Sequence, residues 1–300
     1  MYKRQELQQL REVIRAGKFS EGKGRLAKKD VRSDYVDAIV NDIAITGAIK
    51  IVVDAGNGAA GELAPQVLEG LSCDVERLYC EIDGTFPNHH PDPSIDANLA
   101  DLQTAVLELG ADLGVAYDGD GDRLTVITGE GEIVRNDILL MLFAQDIVSR
   151  NPGADVVFDI KCTGQLTQLV SKHGGRPILW KTGHAFMRQK VRESGALLGG
   201  EFAGHFYFRE RWFGFDDAIY ATARLAELIS GSGLSLTELL AEFPQLPNTP
   251  EIHIPVAEHE KFQIMQKLSE TADFGAGKIT GLDGIRVDFN DGWGLLRASN

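Results

Sequence analysis

A β-branched run at residues 49–53, Ile-Lys-Ile-Val-Val, empties into Asp54 and a glycine-rich turn over 54–61. A parallel sheet buries runs of this kind on both faces. A helical pattern through Leu63, Val67 and Leu68 follows, and a second strand begins near Cys73. Helical spacing at 99–109 then leads to a third strand at 112–117. The same β-α-β-α-β order returns as strand 155–160, helix 165–172, strand 176–180, helix 186–193 and strand 196–200. Even the approach to the last strand repeats: GADLG at 110–114 against GALLG at 195–199. Two tandem α/β units of roughly 100 residues each are therefore expected. Ligands of open α/β sheets collect at the C-terminal strand ends, so each unit should carry a functional loop after its third strand.

Pro244, Pro247 and Pro250 interrupt the chain and mark a boundary. Beyond them the pattern predicts a strand at 251–256, a helix at 258–272 and strands at 279–280, 284–289 and 294–298, an α+β tail. Asp and Glu outnumber Lys and Arg by 44 to 30, a net charge of −14. Such a surface repels nucleic acid and anionic lipid, so neither is an expected partner. No apolar run approaches the roughly 20 residues needed to span a bilayer, and residues 1–18 lack a secretory pattern. Cys73, Cys80 and Cys162 show no C-x-x-C spacing and read as reduced thiols of a cytoplasmic protein.

The sharpest local feature is Asp118-Gly119-Asp120-Gly121-Asp122-Arg123, directly after the third strand. Carboxylates at i, i+2 and i+4 point one way in an extended chain, and the glycines let them converge. Three anions so close need a cation, and all-oxygen ligands favour Mg²⁺ or Ca²⁺. An EF-hand is excluded, because its sixth position is Arg123 and its twelfth Gly129. A rival reading is a haloacid-dehalogenase-type phosphatase with a nucleophilic first Asp, but Asp122 stands where that pattern has Thr or Val.

The equivalent loop of the second unit is Glu201-Phe202-Ala203-Gly204-His205, where a carboxylate and an imidazole can grip hydroxyls or move a proton. Lys161 and His184 follow that unit's first and second strands and face the same rim. Residues 87–93, PNHHPDP, read as a rigid turn rather than a metal site, and Asp216 or Asp217 as the N-cap of a helix at Ala218. Arg297 and Ser299 would suit a phosphate.

Taken together, VVDAGNGAAG, FPNHHPDP, DGDGDR, KTGH, GEFAGH, RWFGFDD and the terminal RASN resemble the α-D-phosphohexomutases, most closely the bacterial phosphomannomutase/phosphoglucomutase branch. The resemblance implies two tandem α/β/α domains followed by a truncated α+β, TBP-like domain. The corresponding divisions are 1–30 (end of a catalytic-serine domain), 31–132, 133–244 and 245–300. It further implies Mg²⁺ on Asp118, Asp120 and Asp122, with catalytic roles for Arg123 and His205. Substrate contacts would fall to Lys161, His184, Glu201, Phe202, Ala203, Gly204, His205, Arg297, Ala298, Ser299 and Asn300. The implied substrates are the 1- and 6-phosphates of mannose and glucose, interconverted by a monomeric isomerase through a phosphoserine and a hexose 1,6-bisphosphate. No TGSHNP-like serine loop is present, so this chain alone is expected to be inactive. Ala203 stands where the family commonly has Ser. An amino-sugar phosphate mutase and a non-catalytic Mg²⁺- and phosphosugar-binding fragment are the alternatives.

Overall fold

The structure is a computed structural model that describes residues 2–244 and 246–298. The chain divides into two units, 1–33 and 34–300. The first holds helix α1 (Tyr2–Ala16) and a following stretch without regular structure, exposed throughout residues 17–31. Helix α2 (Arg32–Asp42) comes next and buries Ile39.

In the second unit the alternating pattern becomes two sheets of one design. The first is built from β1 (Lys50–Asp54), α3 (Ala60–Gly70), β2 (Asp74–Leu78), a 3-10 turn at Asp96–Leu99, α4 (Ala100–Leu109) and β3 (Leu113–Tyr117). Two further strands, β4 (Leu124–Thr128) and β5 (Ile133–Val134), complete the order β2-β1-β3-β4-β5. Helix α5 (Asn136–Arg150) crosses to the second sheet. There β6 (Asp155–Asp159), α6 (Gln165–Lys172), β7 (Arg176–Trp180), α7 (His184–Ser194), β8 (Leu198–Gly200) and β9 (Phe206–Phe208) give the order β7-β6-β8-β9. In both sheets the first strand lies between the second and third in parallel, and an antiparallel strand follows the third. The tandem repeat is thus real at the level of topology.

The sequence pattern did not reveal α5, β4 or β9, and burial explains why. Eleven of the fifteen α5 residues are buried, so the helix has no polar face to show a 3.6-residue period. All residues of β4 and β9 are buried as well, which removes the alternation that marks a half-exposed strand. Phe143 on α5 meets Phe206 and Phe208 edge-on, with ring centroids 5.3 and 5.0 Å apart. Helix α8 (Ala218–Ser232) starts at Asp217, whose carboxylate caps it by accepting Tyr220 N–H, and α9 (Leu236–Leu240) starts with a Ser235/Glu238 capping box.

One expectation is corrected. Residues 251–256 form no strand: Ile252 and Ile254 are exposed, and the Pro255 nitrogen has no hydrogen to donate to a ladder. The tail is otherwise α+β, with α10 (Lys261–Thr271) and an antiparallel sheet β10-β11-β12 of Lys278–Thr280, Ile285–Asp288 and Trp293–Leu296.

Candidate functional site

Antiparallel pairing of β3 with β4 forces residues 118–123 into a tight loop. Asp118 is buried, Asp122 half-buried and Asp120 exposed, and one oxygen of each lies within 4.8 Å of the others. Asp118 Oδ1 accepts the N–H groups of Gly121, Asp122 and Arg123, and Oδ2 accepts Arg123 Nε at 2.7 Å. Burial raises the Asp118 carboxyl above its usual range, with the Arg123 contacts opposing. At Asp122 burial is outweighed by the contacts to His205, which hold the carboxyl below that range. Three convergent carboxylates with hard oxygen donors fit a magnesium-type ion. Arg123 also donates to Asp92 at 2.9 Å, which gives the PNHHPDP turn its purpose as a brace for the guanidinium. In the same turn His89 Nε2 lies 3.1 Å from buried Asp54, a structural contact as expected.

The loop between β8 and β9 carries the second constellation. Glu201 is 1% exposed; Oε1 accepts Gly183 N–H at 2.7 Å and Oε2 accepts the Tyr207 hydroxyl at 2.8 Å. Burial, with Asp159 nearby, raises its carboxyl above the usual range. His205 sits between anions, Nε2 3.3 Å from Asp122 and Nδ1 3.4 Å from Glu201. Burial opposes its charge, but Asp122, Glu201 and Asp216 together raise the imidazole above its ordinary range. The main chain ties the two loops: Arg123 and His205 form an isolated bridge, and Leu124 N–H donates to Gly204 carbonyl at 3.0 Å. The metal-type loop of one unit and the imidazole loop of the other are thus one site.

Lys161 and His184 join it. The Lys161 ammonium lies 5.2 Å from the Phe202 ring centroid and pairs with Glu251, and the His184 ring is 6.0 Å from that of His205. Ala203, half-buried, follows Phe202 on the same loop. Arg297 Nε donates to Asp283 at 3.1 Å, and Asp283 also accepts Thr182 N–H from the KTGH loop at 3.1 Å. Ala298 follows it half-buried; Ser299 and Asn300 lie outside the described residues. Sequence reasoning passed over Asp159, Thr182, Tyr207 and Asp283, whose carboxyl and hydroxyl groups hold these loops. A signal for Asp159 existed: it ends DVVFD as Asp54 ends KIVVD.

Residues 33–131 match the family profile "Phosphoglucomutase/phosphomannomutase, alpha/beta/alpha domain II", and residues 135–246 match domain III of the same family. The chain belongs to the phosphoglucomutase/phosphomannomutase family, within the α-D-phosphohexomutases. It is 52% identical over 296 residues to the phosphomannomutase/phosphoglucomutase of Pseudomonas aeruginosa, covering 99% of this chain and 64% of that protein. Identity to the phosphoglucomutase of Neisseria meningitidis is 45% over 298 residues, 98% of this chain and 65% of the relative. A crystal structure of a family protein from Burkholderia thailandensis superposes with a TM-score of 0.93 at 43% identity, covering 99% of this chain and 63% of that one. The chain thus spans just under two thirds of the length of these relatives. Family membership displaces the dehalogenase-type reading. Among the described residues no helix is long and apolar enough to cross a membrane.

Proposed function

We propose that this chain forms the metal-, sugar- and phosphate-binding part of a phosphohexomutase acting on mannose and glucose phosphates. The reading supposes interconversion of the 1- and 6-phosphates by way of a phosphoserine and a hexose 1,6-bisphosphate. The observation that carries it is the meeting of Asp122 and His205, 3.3 Å apart although they belong to different α/β units. Phosphoryl transfer is mainly positioning and charge neutralisation, and a charged metal loop beside a hydroxyl-gripping loop supplies both.

Asp118, Asp120 and Asp122 would hold Mg²⁺, which when bound offsets negative charge on a transferring phosphoryl group. Arg123, fixed by Asp118 and Asp92, presents a permanent cation beside that position. His205, flanked by Asp122 at 3.3 Å and Glu201 at 3.4 Å, is placed to donate to or accept from a sugar hydroxyl. Glu201 keeps an unshared lone pair on each oxygen after meeting Gly183 and Tyr207, and fixes the loop from within. Lys161 and Arg297 supply permanent cations and His184 a ring N–H, suited to the phosphate that is not being transferred.

Titration calorimetry of the chain with glucose 1-phosphate and mannose 1-phosphate in Mg²⁺ tests the reading. Both should bind, and His205→Gln should weaken both. A folded wild-type chain that binds neither sugar phosphate would overturn the proposal.

A further inference from the structure

Asp159 is the last residue of β6 and is fully buried. Its Oδ1 accepts the Cys162 thiol at 3.0 Å and Phe202 N–H at 3.2 Å, and its Oδ2 accepts the Thr182 hydroxyl at 2.8 Å. The three donors come from three loops, and each loop carries or leads into a residue of the proposed phosphosugar rim: Lys161, His184, and the Glu201/His205 pair. A carboxylate withdrawn from water is strongly unfavourable without such donors, so its burial holds all three loops to one point.

The connection continues into the C-terminal sheet. Arg286 of β11, itself buried, donates to the carbonyls of Ile160 and Cys162, both at 2.7 Å, on either side of Lys161. Thr182, whose hydroxyl meets Asp159, gives its N–H to Asp283, and Asp283 accepts Arg297. An unbroken series of contacts therefore runs from Arg297 through Asp283, Thr182 and Asp159 to Phe202. The first α/β unit has the same device. Asp54 ends β1, is fully buried, accepts Gly56 N–H at 2.8 Å and meets His89 on the turn whose Asp92 braces Arg123.

We infer that Asp159 is a positioning residue that ties the Lys161, His184 and Glu201/His205 loops into a single phosphosugar-binding arrangement and couples it to Arg297. The inference rests on the phosphosugar reading above, and two variants with two measurements separate them. Asp159→Ala removes every acceptor. Asp159→Asn keeps the carbonyl for Cys162 and Phe202 and can donate its amide to the Thr182 hydroxyl, which then accepts, so it should largely spare all three loops. In hydrogen-exchange mass spectrometry the Ala variant should exchange faster at 161–164, 181–184 and 201–205 together, with β1 and β3 unchanged. The Asn variant should stay close to the wild-type exchange at all three. Glucose 1-phosphate affinity should fall roughly tenfold or more in the Ala variant and be partly rescued in the Asn variant. Faster exchange throughout the chain, a response in one loop alone for Ala, or loosened loops with unchanged affinity would each overturn the inference. Should the Ala variant fail to fold, Asp159→Leu, which fills the space but accepts no hydrogen bond, should show the same response in all three loops, and wild-type exchange there would overturn the inference equally. Absence of glucose 1-phosphate binding by the wild-type chain would overturn the phosphosugar reading, while the exchange pattern would still decide whether Asp159 holds the loops.

Discussion

Gly204 stands where the two loops of the site touch, and replacing it with Ala should be among the most damaging single-methyl additions in the protein. Its φ is +99°, a conformation that side chains rarely adopt. An added Cβ would lie 2.5 Å from the Leu124 carbonyl oxygen and 2.9 Å from Asn136 Nδ2, both too close for a carbon atom. The backbone angle alone costs about 1–2 kcal/mol for a residue with a Cβ. Relieving the overlap requires β4 and the loop to separate, which stretches the 3.0 Å bond from Leu124 N–H to Gly204 carbonyl, a loss of about 0.5–1.5 kcal/mol. Together Gly204→Ala should destabilise by about 1.5–3.5 kcal/mol, measured by urea unfolding at constant m-value. Gly153 is the control: its φ is +84° but nothing lies within 4 Å of an added Cβ, so Gly153→Ala should show the backbone cost alone. If the two substitutions cost the same to within about 0.5 kcal/mol, the steric argument at the junction is wrong.

Three further outcomes are expected. Asp120→Asn removes one exposed carboxylate from the convergent triplet without disturbing the core, so calorimetry should show clearly weaker Mg²⁺ binding; unchanged affinity would eliminate the site. Arg224 is 3% exposed, pairs with Glu210 at 2.7 Å and lies over the Phe208 and Tyr220 rings; Glu210 keeps Arg150 at 2.7 Å, so Arg224→Met removes one of its two cationic partners and should cost about 1.5–3 kcal/mol in chemical denaturation. A cost under about 0.5 kcal/mol would show that Arg150 alone satisfies Glu210. Burial pushes the Cys73 and Cys80 thiols up to about 11 and Cys162 well above the ordinary value. A raised thiol pKa leaves little thiolate at pH 8, so all three should react slowly with a disulfide reagent until the chain is unfolded; rapid labelling of the native protein would contradict the burial.

What the sequence alone determined was whatever depends on neighbours along the chain. Residues 49–53 and 155–160 are recognisable as strands because β-branched runs flanked by turns leave a local pattern. The Asp118–Asp122 triplet is legible because its three ligands are two residues apart. The strand expected at 251–256 shows the limit of that logic: alternation alone does not make a strand, because a ladder also needs a partner and donors, and Pro255 has no N–H to give. Helix α5 and strands β4 and β9 escaped for the opposite reason, since all-round burial erases the polar positions that give a pattern its period. Only the tertiary structure decided that Asp122 and His205, 83 positions apart, are neighbours at 3.3 Å. It alone decided that Glu201 turns inward to Gly183 and Tyr207, and that Asp159 collects three loops. Those contacts arise from how two similar sheets are set against each other around α5, and no short-range preference of the chain encodes a distance between two sheets.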